Sequence, residues 1–230
     1  MKVELVSMTQ GVGKYEELNV EEITSAIARH GVIKEDNGKL VKYLMDNMHL
    51  SPLDMINFTF EIQTSRAIGR QILRHASIKF QEHSQRYSSK VIFEPVELRM
   101  EHPTNRQSST DIFNPTIEYH TGSPESNLGR FKGEAKKLIE KHLSNTDKLY
   151  QALLKEGVAK ECARMILPET TQSTLSANGT LRSWLSFLNV RCDHHAQKEA
   201  QDIAFLIGEA LEKEMPNVFS NIDWRKGMFM

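Results

Sequence analysis

Residues 56–74 constrain this chain most. In INFTFEIQ (56–63) the apolar side chains Phe58, Phe60 and Ile62 alternate with polar ones, which puts all three on one side of a strand. From Ser65 the period changes. Ala67, Ile68, Ile72 and Leu73 form a helical stripe, while Arg66, Arg70 and Arg74 recur at i, i+4 and i+8 on another face. Three stacked arginines repel one another unless acids or anions answer them. Glu61 and Glu82 are acids at hand, and a solvated face is the plain alternative.

The same tests read the rest of the chain. KVELVSM (2–8) alternates as a strand, and TQGVGK after it lacks the spacing and the hydroxyl of a phosphate loop, so it is a turn. Residues 20–30 and 39–48 carry helical spacing; the second ends in a turn at Ser51-Pro52. Residues 88–130 hold four prolines and many Ser, Thr and Asn, an irregular excursion too long for an ordinary connector. A long amphipathic helix is expected from Gly129 to about Lys155, stopped by Gly157, then a second over 158–166, ended by Pro168. Residues 170–180 read as strand with a turn at Asn178-Gly179. Helices are expected over 181–190 and 195–214. No internal repeat is visible.

Composition narrows the function classes. The 230 residues suit one domain, 1–230, and 39% hydrophobic with 26% charged residues is globular. Lys plus Arg is 29 against Asp plus Glu 30, a net charge of −1, so no global positive field exists to hold a nucleic-acid polymer; a local basic pocket for a small anion is still allowed. No apolar run approaches the ~20 residues of a membrane helix. The N-terminus has no charged and apolar leader pattern. Two cysteines, Cys162 and Cys192, make no disulfide framework, and a reducing cytoplasm is the expected location.

The densest chemistry lies in Arg74-His75-Ala76-Ser77-Ile78-Lys79-Phe80-Gln81-Glu82-His83-Ser84-Gln85-Arg86-Tyr87-Ser88. Guanidinium forks grip phosphate, hydroxyls and backbone N–H groups complete an anion nest, and Glu and Gln read amide-like edges. The run suits a phosphorylated planar ligand; a solvated loop is the alternative. Arg164 in CARMILP and Arg191 in FLNVRCDHHAQ have the same character. Arg191, between apolar Leu188 and Val190 on one side and Asp193 on the other, needs an anionic or π-rich partner: Asp193 or a ligand. His194-His195 resembles a metal pair only superficially, since neighbours on a helix point about 100° apart, and no metal is expected. Neither cysteine stands in a nucleophile constellation, and both read as core residues.

Together these segments resemble the flavin-dependent thymidylate synthases, whose signature is RHRxxSxNExSxRY. Here it reads RHASIKFQEHSQRYS from Arg74, with Arg74, His75, Glu82, Ser84, Arg86 and Tyr87 matching. His49 to Asp54 followed by Phe58-Thr-Phe60 is similar to the family's HxxPxEHxxFTF. Gln71 to His75 matches QxxRH, Asn105-Arg-Gln resembles an NRQ insertion, Ala163 to Pro168 matches ARxxLP, and Arg182 to Gln197 matches RSLxxFLNxRxxxHAQ. About 200 residues are covered in order.

The resemblance implies an α/β (α+β) fold with a central, mostly antiparallel sheet flanked by long helices. It implies a homotetramer with active sites at subunit interfaces. It further implies transfer of a one-carbon unit from methylenetetrahydrofolate to C5 of dUMP, reduced by NADPH through FAD. Carried over residue by residue, Gln71, Arg74, Glu82, His83, Ser84, Gln85, Arg86, Arg164 and Arg191 bind dUMP. Arg191 is catalytic at the uracil edge. Ser51, Asp54, Arg74, His75, Ala76, Glu82, Thr180, Arg182 and Ser186 stand at FAD positions. The chain departs from the pattern at Ala76 (usually Arg), Lys79 (Ser), Gln81 (Asn), Asp54 (Glu), Met55 (His), and Thr180 and Ser186 (Asn), mostly at flavin positions. A weakened flavin site leaves two alternatives: a C5-hydroxymethylase on the same fold, or a nucleotide-binding homologue without catalysis.

Overall fold

A computed structural model of the chain describes residues 1–35, 38–106, 108–121, 129–220 and 222–227. In chain order its elements are β1 (Lys2–Met8), α1 (Val20–Ala28), α2 (Lys39–Asp46), β2 (Asn57–Ser65), α3 (Arg66–Ile72), β3 (Lys79–Glu82), β4 (Arg99–Glu101), β5 (Ser109–Ile112), β6 (Thr116–His120), β7 (Arg130–Glu134), α4 (Ala135–Lys155), α5 (Lys160–Ala163), β8 (Gln172–Thr180), α6 (Leu181–Arg191), α7 (Lys198–Glu214) and α8 (Pro216–Phe219). The architecture is mixed, with antiparallel pairing and several helices. The described residues divide into two compact units, one of Met1–His83 with Ser173–Met230 and one of Ser84–Gln172.

The first unit is built on a four-stranded sheet in the order β1-β2-β8-β3, with β1/β2 and β3/β8 antiparallel. The alternation in the sequence becomes its two faces. Phe58, Phe60 and Ile62 of β2, with Leu175 and Ala177 of β8, are completely buried. Thr59 and Asn178 share the opposite face, where Asn178 Nδ2 donates to Thr59 Oγ1 at 2.8 Å. The buried face is covered by α6 and α7, whose Leu181, Trp184, Leu185, Leu188, Ile203, Ile207 and Leu211 have no exposure. Trp184 satisfies its buried indole N–H on the Phe58 carbonyl at 3.1 Å and meets Phe60 edge-on. Trp224 packs against α7 at Gly208, where a Cβ would collide with the indole ring.

The second unit holds two antiparallel hairpins, β4/β5 and β6/β7, and the helices α4 and α5. Its small core is Tyr150, Ala163 and Leu167, with Val91, Leu153, Leu154 and Val158 against it.

Three expectations change. The irregular excursion at 88–130 contains strands, and the long helix starts at Ala135, because 130–134 pair with 116–120. Four of the five residues of β6 and four of the five of β7 are charged, aromatic or hydroxylated on an exposed two-stranded ribbon, which has no buried face to impose alternation; its visible anchor is Tyr119 stacked on Phe131 at 5.2 Å. Asn178-Gly179 is not a turn. Both lie within β8, and Gly179 is small because a Cβ there would approach Ile78 to 3.1 Å and the Trp184 indole nitrogen to 3.3 Å. Finally, α7 begins at Lys198, so His194 and His195 precede the helix. Gln107 of the NRQ match and residues 122–128 lie outside the described residues. No helix among the described residues is long and apolar enough to cross a membrane.

Candidate active site

Two helix boundaries build the first part of the site. Ser65 caps α3 by accepting from the Ile68 N–H at 3.3 Å. After α3 the chain turns through Arg74 to Ser77 before entering β3. Arg191 is the last residue of α6 and reaches that turn. Its Nε donates to His75 Nε2 at 2.9 Å, and an Nη2 hydrogen goes to the Gln71 carbonyl at 2.6 Å. The Gln71 side-chain amide donates in turn to Gln197 at 2.6 Å, and Gln197 donates to Glu199 at 2.9 Å.

The electrostatics of Arg191 decide between the two partners left open by the sequence. Asp193 does not take it: that carboxylate accepts from the His195 backbone N–H at 2.8 Å and lies 2.7 Å from His195 Nδ1. The His195 N–H chiefly holds the Asp193 carboxyl below its ordinary range. Arg191 is half-buried, and burial lowers its pKa with no acid in opposition. Burial first, and the Arg191 charge second, push His75 down to about 4. His75 is therefore neutral near pH 7 and, since Nε2 accepts, carries its proton on Nδ1. Arginine has five N–H donors; two are used here, leaving three for a ligand.

A second cluster gathers at the start of α6. Thr180 caps the helix, accepting from the Ser183 N–H at 3.2 Å. Asp54, in the 3-10 turn Ser51–Met55, accepts from Arg182 Nη1 at 3.0 Å and from the Thr180 hydroxyl at 3.4 Å. Ser183 Oγ donates to the Ser77 carbonyl at 3.3 Å, which ties the cluster to the turn carrying Ala76. Ser51, Arg74, Ala76, Lys79, Arg182 and Ser186 are exposed. Arg66 and Arg74 pair with no acid among the described residues, so Glu61 and Glu82 do not neutralise them.

Glu82 ends β3 opposite Leu175, and the Ser173 hydroxyl donates to its carboxylate at 2.7 Å. His83 continues the pairing through its N–H to the Thr174 carbonyl at 2.8 Å. The remaining signature residues belong to the second unit. Ser84 Oγ accepts from the Arg86 N–H at 3.3 Å, and Gln85 lies between them. Arg86 pairs with Glu161 of α5 at 3.2 Å, which sets the signature loop beside the 3-10 turn Arg164–Ile166. Arg164 has no ion-pair partner among the described residues.

The sequence names the arginines and, as a flavin position, Thr180; it assigns no role to Ser173, Ser183 or Gln197 and does not reveal the caps at Ser65 and Thr180. Gln197 stands in the matched HAQ run, a signal that was present; Ser173 becomes visible only through the β3/β8 register. The two histidines sit in a turn, and their rings stack 3.8 Å apart. The helical argument against convergence therefore does not apply: their ligand atoms and that of Asp193 lie within 4.8 Å of one another. Cys192 is buried and its thiol is pushed up to about 12, mainly by that burial; Cys162 is exposed.

Arg191 is thus a half-buried guanidinium held by neutral acceptors on an α+β scaffold. Comparison with known proteins supplies the family. Residues 7–217 match the family described as thymidylate synthase complementing protein. The flavin-dependent thymidylate synthase of Synechocystis sp. is 36% identical over 229 residues, 97% of this chain and 100% of its own. The probable flavin-dependent thymidylate synthase of Paramecium bursaria Chlorella virus 1 is 33% identical with the same coverage. That of Kosmotoga olearia is 32% identical over 184 residues, 79% of this chain and 74% of its own. The chain belongs to the thymidylate synthase complementing protein family, the family of the flavin-dependent thymidylate synthases.

Proposed function

We propose that this chain is a methyltransferase that converts dUMP to dTMP, with methylenetetrahydrofolate as carbon donor and NADPH, through FAD, as reductant. The observation that carries the reading is Arg191: a half-buried cation held by neutral acceptors only. Such a cation needs a partner of opposite charge or high electron density. A uracil edge losing its N3 proton supplies one, and a fixed cation beside developing negative charge is a large catalytic term. Negative charge on the ring makes C5 the more nucleophilic carbon.

Arg86 and Arg164 are the proposed phosphate partners, with Ser84 and Gln85 as hydrogen-bonding groups. Gln71, Arg74, Glu82 and His83 complete the dUMP set. The residues at the flavin positions suit a dinucleotide: Arg74 and Arg182 offer exposed guanidinium groups to a diphosphate, and Ser51, Thr180 and Ser186 offer hydroxyls. Asp54 aims Arg182; Glu82 is the other polar side chain, and His75 and Ala76 contribute backbone. Bound FAD would supply the hydride, so no cysteine attack on C6 is required, in keeping with the inert Cys192 thiol.

The assembly proposed is a homotetramer with sites at subunit interfaces, working in the cytoplasm with no nucleic-acid polymer or membrane as partner. The deciding experiment incubates the purified protein with FAD, NADPH, methylenetetrahydrofolate and dUMP tritiated at C5. Tritium release with a product one CH2 unit heavier than unlabelled dUMP, methyl having replaced the C5 hydrogen, is expected; a hydroxymethyl product or retained tritium overturns the assignment.

A further inference from the structure

The family pattern places His75 among the flavin contacts, but its ring is engaged elsewhere. Nε2, the only unprotonated ring nitrogen, accepts from Arg191 Nε, and the ring lies 4.8 Å from that of Phe187, one turn earlier on the same helix. Phe187 is completely buried, so the imidazole is wedged between a fixed wall and the guanidinium. The Gln71 carbonyl supplies the second acceptor, and the Gln71–Gln197 amide bond ties residue 71 to the chain just ahead of α7.

We propose that His75 is a positioning residue for Arg191: it fixes the direction of the guanidinium through a neutral acceptor, and its contribution to catalysis passes through Arg191 rather than through the flavin. The choice of residue type follows from charge. A carboxylate at position 75 would orient Arg191 equally well but would neutralise it, and the cation would then have little left to offer a substrate anion. An imidazole accepts one hydrogen bond at Nε2 while leaving the positive charge uncompensated. Two neutral acceptors on adjacent N–H directions also fix the guanidinium plane, so the three remaining N–H groups present a defined edge.

This inference rests on the proposed role of Arg191 at the uracil, and the test separates the two. Dissociation constants for dUMP and for FAD, and tritium release from C5 of dUMP, are measured for His75→Gln, His75→Asn and His75→Leu, alone and with Arg191→Ala. Gln carries an amide oxygen at about the distance of Nε2, whereas Asn is too short and Leu has no acceptor. His75→Leu and His75→Asn are expected to weaken dUMP binding and tritium release about tenfold or more, the loss expected when a hydrogen bond to a charged group is removed. His75→Gln should retain most of both, and FAD affinity should hold within about threefold in all three. With Arg191→Ala present, His75→Leu should cause no further loss, because the residue through which it acts is gone. If the Leu variant does not fold, the Gln and Asn pair decides the matter. Losses that add to those of Arg191→Ala, or a fall in FAD affinity with dUMP binding unchanged, overturn the positioning role alone. A wild-type protein that does not bind dUMP overturns the role of Arg191 and this inference with it.

Discussion

Asp54 Oδ2 receives a hydrogen bond from Arg182 Nη1 at 3.0 Å, so an acid from the turn after α2 aims a guanidinium in the first turn of α6. The pair is half exposed, and such pairs contribute only about 0–1 kcal/mol to stability. Its value lies in orientation. Arg182→Ala is expected to weaken FAD binding about tenfold or more while shifting the melting temperature by only a few degrees. Flavin fluorescence titration and a thermal melt on the same samples check this; unchanged affinity removes Arg182 from the flavin set.

Ala76 is exposed in the turn after α3, at a position where the family carries arginine. Lys79, three residues on, provides charge without a fork. Ala76→Arg should tighten FAD binding about tenfold or more, the value of a charge-assisted hydrogen bond. Equal or weaker binding by equilibrium titration would show that the site has settled on another way of holding the diphosphate.

His75 makes stability depend on pH. Its pKa in the folded protein is about 4, below the ordinary 6.5, so between these values the unfolded chain binds the extra proton. The contribution of neutral His75 is complete above pH 6.5 and is lost as pH falls toward 4. Urea unfolding at several pH values should therefore show a steeper decline for wild type than for His75→Gln across that window. Parallel curves would mean that the ring is not held neutral by its surroundings.

The two cysteines should react differently. Burial holds the Cys192 thiol in its protonated form, with a pKa of about 12, whereas Cys162 is exposed. A thiol reagent applied to the native protein should label one cysteine promptly, and the peptide map should place it at 162. Full labelling at 192 without unfolding would contradict the burial. Cys192→Ser should keep tritium release from dUMP wherever the protein folds, as expected of a mechanism without a thiol nucleophile.

Periodicity made the first unit legible. Phe58, Phe60 and Ile62 alternate because one face of β2 is buried, and the stripe of α6 is legible because Leu181, Trp184, Leu185 and Leu188 all face the core. The β6/β7 ribbon was not legible, because both of its faces meet solvent and its order depends on pairing across a gap in sequence. The same division runs through the site. Arg74, Arg164 and Arg191 announce themselves by type and setting. That Arg191 turns to His75 rather than to Asp193, and that Ser173 holds Glu82, depends on register and helix termination, which no local window contains.

The adjacency of β3 and β8 has a consequence for how such a chain is put together. Glu82 faces Leu175, and His83 bonds Thr174, yet the chain travels from residue 84 to residue 172 before coming back. The excursion leaves and rejoins at neighbouring backbones, a gap that a hairpin loop of about two to five residues would span. Topologically the second unit is a cassette set into a hairpin. A change of length inside it, short of Gln172 where β8 begins, leaves the pairing of Glu82 with Leu175 untouched.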